Sequence, residues 1–325
     1  MAQCDFYDLV IIGGGPGGLS AAIYAIRAAL KTVLVEKGIT GGQVTMSDEV
    51  ENYPGFTHIS GAELSMKFTQ HAQAYDLEMI SQEVTALDPG LDYHTVKLAN
   101  GESLKTHAVV LATGGSPRKL DVPGERELYG KGVSYCATCD GFFFRGKTVV
   151  VVGGGDSAAE EALYLGKLCK KVYIAHRRDE LRAGKILQQR IFDDCNIEML
   201  WNTVVTEIEA DANGVKGVAL KDTVTAKTRV LDVDGVFIFV GFNPNNELVP
   251  AGTRMNADGM VVTDEKCETN SPGVYVIGDL REKFARQIVL SAGDGCTAAL
   301  AAAHFVETKK SMRGDTCELP PDAAE

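Results

Sequence analysis

A chain of 325 residues, 45% of them hydrophobic, is long enough to bury one large or two medium cores. Its formal net charge of -12 argues against nucleic acid or an anionic membrane surface as the main partner. Eight cysteines in a chain of this length do not make a disulfide scaffold, no apolar run reads as a bilayer span, and the start shows no targeting segment.

The first expected strand runs from Asp8 to Ile12 and leads into Gly13-Gly14-Gly15-Pro16-Gly17-Gly18. An Ala-rich helix over 17–29 and a strand over 32–36 follow. Parallel strands joined by a right-handed crossover make this a βαβ unit. Gly13 suits the tight turn, Gly15 lets backbone approach a pyrophosphate, and Gly18 lets helix pack on strand. Pro16 completes the turn, and the N–H groups behind it suit a diphosphate. Glu36 ends the second strand, where a carboxylate accepts hydrogen bonds from ribose hydroxyls. A helix over 61–74, short strands as far as Lys97 and a buried strand from His107 to Thr113 continue this domain. Gly114-Gly115-Ser116-Pro117 reads as a linker.

A second unit of the same kind begins with the strand over 148–152 and the turn Gly153-Gly154-Gly155-Asp156-Ser157-Ala158. A helix over 157–168 and a strand over 171–175 complete it. No acid closes that strand. His176, Arg177 and Arg178 stand there, with Arg182 close behind. Guanidinium groups bind a 2′-phosphate where a carboxylate would repel it, so this turn is expected to take NADPH. Asp179 and Glu180 temper the cluster. Strands over 198–200, 214–220 and 235–240 finish the unit, and 241–246 forms a second linker. The remainder resumes the first domain and closes with a helix over 295–308. The expected fold class is therefore α/β, with two Rossmann-like dinucleotide-binding domains, one inserted into the other. The first covers 1–116 and 244–310, the inserted one covers 117–243, and 311–325 reads as a flexible tail.

Between the two turns lies Cys136-Ala137-Thr138-Cys139-Asp140. Such a pair can bind metal, form a redox disulfide or do neither. A zinc site needs a second ligand pair, and no other cysteines or histidines have that spacing. With NADPH in the second site, the first is open to a flavin, and Cys136 and Cys139 are the next station for its electrons. Asp140 is placed either to protonate a departing thiolate or simply to form the turn before Gly141. Cys4, Cys169, Cys195, Cys267, Cys296 and Cys317 are scattered and read as ordinary thiols.

These motifs, in this order from about residue 6 to 308, resemble the low-molecular-weight thioredoxin reductases of bacteria and plants. The resemblance rests on Cys-Ala-Thr-Cys-Asp-Gly at 136–141, Gly-Gly-Gly-Asp-Ser-Ala at 153–158 and His-Arg-Arg-Asp-Glu-Leu-Arg at 176–182. It rests also on Ala112-Thr113-Gly114, Val276-Ile277-Gly278-Asp279, Gly41-Gly42-Gln43 and Glu51-Asn52-Tyr53-Pro54-Gly55. It implies FAD contacts at Gln43, Asn52, Val84, Thr113, Gly114, Asp279, Arg286, Gln287 and Ile288, beyond the turn residues and Glu36. It implies NADPH contacts at Gly153, Gly155, Asp156, Ser157, His176, Arg177, Arg178 and Arg182. Cys139 would face the flavin and form the charge-transfer thiolate, Cys136 would exchange with thioredoxin, and Asp140 would be the general acid. Phe142 and Phe143 would help dock thioredoxin or serve as core aromatics. A cytoplasmic homodimer is implied, with the inserted domain rotating between half-reactions. Reduction of another disulfide carrier, and redox sensing without turnover, are the competing readings.

Overall fold

The structure, a computed structural model, describes residues 6–47, 49–212 and 214–313. Cys4, Cys317 and residues 314–325 of the expected tail lie outside them. The described residues divide into two compact units, one comprising those up to 49, 53–115 and those from 244 on, the other 50–52 and those within 116–243.

In chain order the first unit opens with β1 (Phe6–Ile12), α1 (Pro16–Arg27) and β2 (Thr32–Glu36). It continues with α2 (Gly61–Gln73), β3 (Glu78–Ser81), β4 (Val84–Asp88), β5 (His94–Leu98) and β6 (Ser103–Leu111). The strand β7 (Gly115–Pro117) leads out of it. The second unit contains β8 (Val133–Ser134), α3 (Ala137–Asp140), β9 (Thr148–Gly153), α4 (Asp156–Gly166) and β10 (Lys171–Ala175). Then come α5 (Lys185–Asp193), β11 (Ile197–Leu200), β12 (Thr203–Asp211), β13 (Gly214–Asp222), β14 (Thr228–Asp232) and β15 (Gly235–Phe239). β16 (Phe242–Pro244) leads back, and β17 (Val274–Val276) and α6 (Ile288–Arg313) complete the first unit.

In the first unit the sheet order is β3-β2-β1-β6-β5-β4, with β17 also pairing β6. β1 is parallel to both β2 and β6, which places its C-terminal end, and the glycine turn, in the middle of the sheet. Leu9, Ile11, Leu34 and Val110 face one side and pack with α1 and α6 residues such as Leu19, Ala298 and Ala302. Val10, Val33 and Val109 face the other side. Strands buried on both faces read as apolar runs, which is why β1 and β6 are plain in the sequence.

In the second unit the sheet order is β11-β10-β9-β15-β8, all neighbours parallel. A separate antiparallel sheet, β12-β13-β14, covers one of its faces through Val205, Ile208, Val218 and Leu220. The linker strands β7 and β16 pair with each other, so what reads as plain linker is a two-stranded ribbon.

Two expectations need correction. The last helix starts at Ile288, not at residue 295. Gly293 and Gly295 look like helix breakers. Gly295 is instead a contact point: a Cβ there would lie 2.2 Å from the Gly17 carbonyl oxygen of α1. The helix is also long and apolar enough, by length and composition, to cross a membrane, contrary to the reading that no run is. Its apolar character has a local use, because Ala298, Ala299, Ala302 and Val306 are fully buried in the core shared with α1.

Candidate active site

In the first unit β1 delivers the chain into the turn at Gly13 and Gly15 is the N-cap of α1, with no side chain capping the helix. An uncapped helix start leaves backbone N–H groups for an anion. A Cβ at Gly18 would sit 1.9 Å from the Gly13 carbonyl oxygen, so the helix can close on the strand only with glycine there. At Gly15 a Cβ would meet nothing within 4 Å, which leaves an open cradle over the helix start. Glu36 closes β2 as expected, and its carboxylate accepts from Gly14 N–H (2.7 Å) and Gly38 N–H (2.8 Å). Those bonds orient it beside the turn and leave lone pairs for a ribose.

Of the other residues expected at the flavin, Thr113 and Gly114 come directly after β6 and the intervening Ala112. Thr113 Oγ1 donates to Asn245 O (2.7 Å), Asn245 Nδ2 donates to Thr113 O (2.7 Å), and Asn245 N–H donates to Gly114 O (3.0 Å). Gln43 Nε2 donates to Gly115 O. Val84 is buried in the core, so only its backbone is left for a ligand. Asn52 is exposed and groups with the second unit. Arg286 is exposed, and Gln287 and Ile288 are half-buried at the start of α6.

Asp279 lies just beyond β17, and its Oδ1 is buried without accepting a hydrogen bond. Lys283 Nζ lies 3.6 Å from it. Burial raises the Asp279 pKa against the pull of Lys283 and Arg286. Lys283 is held in turn by Asp294 of α6 at 3.3 Å, and Asp294 also takes Arg281 at 2.8 Å and Gly278 N–H at 3.1 Å. This carboxylate, which no sequence motif marks, ties the Asp279 turn to α6. A cradle at Gly15, an uncapped helix start, a poised Glu36 and a buried carboxylate oxygen whose nearest cation is 3.6 Å away fit a dinucleotide with ribityl hydroxyls, as FAD has.

The second turn repeats the arrangement. Gly155 is the N-cap of α4, again with no side-chain cap. Asp156 Oδ1 accepts from Gly184 N–H (2.7 Å), and Arg182 N–H donates to Gly154 O (2.8 Å). These bonds fold the segment after β10 back along the turn. Arg177, Arg178 and Arg182 are exposed there, and among the described residues none makes an ion pair with them. Arg182 Nη2 comes within 3.9 Å of where a Gly155 Cβ would stand. Ser157 is exposed one residue into α4. His176 differs from its neighbours: it is buried, its Nδ1 lies 2.9 Å from Gly153 O, and burial lowers its pKa. The ring thereby fixes the turn. Open guanidiniums beside an uncapped helix start fit a nucleotide with a 2′-phosphate.

The redox pair lies in this unit too. Cys136 and Cys139 are joined by a disulfide, with Cα atoms 5.3 Å apart, across the single helical turn α3. Ser134, buried at the end of β8, accepts from Cys136 N–H (3.0 Å) and donates to Asp140 Oδ2 (2.5 Å). Tyr135 donates to Glu125 (2.7 Å), a buried carboxylate that also takes the N–H groups of Leu120 and Asp121. Burial, then that bond, raises the Tyr135 pKa. The chain entering Cys136 is thereby fixed on both sides. Phe142 is exposed, whereas Phe143 packs on the second unit's core. Ser134, Glu125, Asn245 and Asp294 have no signature in the sequence, because a lone serine, amide or acid with a distant partner carries no local signal.

The chain matches the family described as pyridine nucleotide-disulphide oxidoreductase over residues 7–302. It is 46% identical over 307 residues to a thioredoxin reductase of Bacillus subtilis (strain 168), covering 94% of this chain and 97% of that one. The crystal structure of thioredoxin reductase from Streptococcus pyogenes MGAS5005 is similar with a TM-score of 0.90 and 42% identity, covering 94% and 100% of the two chains. A ferredoxin-flavin thioredoxin reductase from Clostridium acetobutylicum is 31% identical, with a TM-score of 0.52 and coverage of 94% and 100%. The chain belongs to the pyridine nucleotide-disulphide oxidoreductase family and, within it, to the thioredoxin reductases, which use FAD and NADPH to act on a disulfide.

Proposed function

We propose that this chain moves electrons from NADPH through FAD and the Cys136–Cys139 disulfide to the disulfide of a thioredoxin. The first unit is the FAD domain and the inserted unit, 117–243, the NADPH domain. The observation that carries the reading is a formed Cys136–Cys139 disulfide in the unit whose glycine turn has Arg182 beside it and the exposed Arg177 and Arg178 after its second strand, with no ion-pair partner for any of the three among the described residues. Those guanidiniums favour NADPH over the donor named for the clostridial relative.

When bound, FAD accepts a hydride from NADPH and passes two electrons to the disulfide. The reduced Cys136 thiolate then attacks one sulfur of the carrier disulfide, and the carrier's other sulfur leaves and takes a proton. Asp140, held by Ser134, stands next to Cys139 and is the proton donor. Cys139 attacks Cys136 in the mixed disulfide, releasing the second carrier thiol and restoring the Cys136–Cys139 bond. The disulfide and the nicotinamide site share the inserted unit and need the same flavin face, so turnover requires rotation about the linkers near 115–118 and 241–245. Among the described residues Cys169, Cys195, Cys267 and Cys296 are free thiols, which supports a reducing compartment, the cytoplasm. The family resemblance supports a homodimer.

Anaerobic rapid mixing tests the reading. NADPH is expected to bleach the flavin and oxidised bacterial thioredoxin to restore its colour, with Cys136→Ser losing only the second step. Bleaching without reoxidation by thioredoxin points to another carrier. No bleaching by NADPH overturns the electron source.

A further inference from the structure

The turnover scheme leaves Glu161 without a task. It lies in the middle of α4, and its Oε2 accepts the Thr138 N–H at 3.1 Å. The Ala137 N–H stabilises the same carboxylate. These are the two amides directly after Cys136 in the chain. Thr138 bridges the two sides, since its N–H goes to Glu161 while its Oγ1 lies 3.4 Å from Cys136 Sγ. Burial raises the Glu161 pKa and the two N–H groups oppose that rise.

Backbone N–H groups next to a sulfur are what lowers the pKa of a reactive cysteine, and a stabilised thiolate makes a dithiol a poor reductant. A carboxylate that already holds those amides has the opposite effect. It withdraws the donors and places a second negative charge near the sulfur, which disfavours the thiolate. We propose that Glu161 is a positioning residue that keeps the Cys136–Cys139 pair strongly reducing, by holding the Ala137 and Thr138 amides away from a Cys136 thiolate. The two-electron balance is that of the proposed exchange: the dithiol becomes the disulfide as the carrier disulfide becomes a dithiol. Other ionisable groups around the turn are Asp140 on the turn itself, Tyr129, which feels the Asp140 charge, and Glu160 beside Glu161 on α4. None of them is a cation that would replace the lost donors.

The inference rests on the redox role of the pair but can be tested without NADPH or thioredoxin. The flavin-loaded protein carrying Cys139→Ser leaves Cys136 as the single thiol of the pair. Its pKa is read from the pH dependence of iodoacetamide alkylation, with mass analysis of the Cys136 peptide. Adding Glu161→Gln, which keeps the shape and removes the charge, is expected to lower that pKa by about one unit, a tenfold change in ionisation. Glu161→Ala, which frees both amides, is expected to lower it further. In the intact dithiol protein, equilibrated with dithiothreitol at pH 9, either change is expected to shift the disulfide equilibrium about tenfold toward the dithiol, which corresponds to about 30 mV. A Cys136 pKa and an equilibrium that stay put in both Glu161→Gln and Glu161→Ala overturn the proposal. Failure of the thioredoxin assay with these shifts present would instead count against the carrier assignment alone.

Discussion

At the residue scale the two nucleotide turns differ in the side chains that close each second strand. Glu36 in the first is occupied by Gly14 and Gly38 N–H groups and offers its remaining lone pairs. Arg177 and Arg178 in the second are exposed and carry a charge that no described carboxylate neutralises. Replacing either one with glutamine should raise the NADPH KM between about 10- and 150-fold, since a hydrogen bond to a charged group contributes about 1.5–3 kcal/mol. The kcat and the NADH kinetics should hold. Steady-state rates with both nucleotides check this, and an unchanged NADPH-to-NADH ratio would remove the phosphate role. Both positions were legible because charge type at a strand end is a local signal. His176 belongs to the same cluster in sequence, yet its burial and its bond to Gly153 come from the fold of the turn above it. Ser134 was invisible for a related reason, because its value lies in reaching Asp140 and Cys136 together.

At the element scale the strands and glycine turns stood out, whereas α6 did not. Its early turns contain Gly293 and Gly295, and only contact with α1 makes a glycine at 295 an asset. Between them sits Asp294, which holds Arg281 and Lys283, both largely buried, and the Gly278 N–H. Asp294→Ala would leave Arg281 without its carboxylate and Lys283 with only the longer contact to Asp279. Breaking one side of a buried ion pair costs about 3–5 kcal/mol, so thermal unfolding should move down clearly. FAD should also be lost more readily on dilution, because Lys283 would no longer be held near Asp279. Flavin fluorescence of the diluted protein and a melting curve check both parts. Retained flavin with a lowered melting temperature would confine Asp294 to stability.

At the scale of the whole molecule the insertion of one dinucleotide fold into another could be read from two fingerprints and two linkers. The pairing of those linkers could not, since neither β7 nor β16 is longer than three residues. Gly241 has φ +135, a conformation that L side chains rarely adopt, and a Cβ there would lie 2.9 Å from Arg118 Cδ. Gly241→Ala should therefore distort the ribbon and slow steady-state turnover about tenfold, while NADPH binding and reduction of the disulfide by dithiothreitol stay near normal. Unchanged turnover would mean that the ribbon has no share in the motion.

The ribbon has one more consequence. Because β7 and β16 are neighbours, the chain leaves the first fold and returns to it at one doorway, latched by Asn245 to Thr113 and Gly114. A segment whose backbone enters and leaves side by side is a cassette. Its host can keep an unbroken sheet whatever is plugged in, so exchange of residues 118–241 for the matching piece of a relative is a graft that leaves both cores uncut. Different electron donors can then be fitted to one flavin chassis without redesigning it.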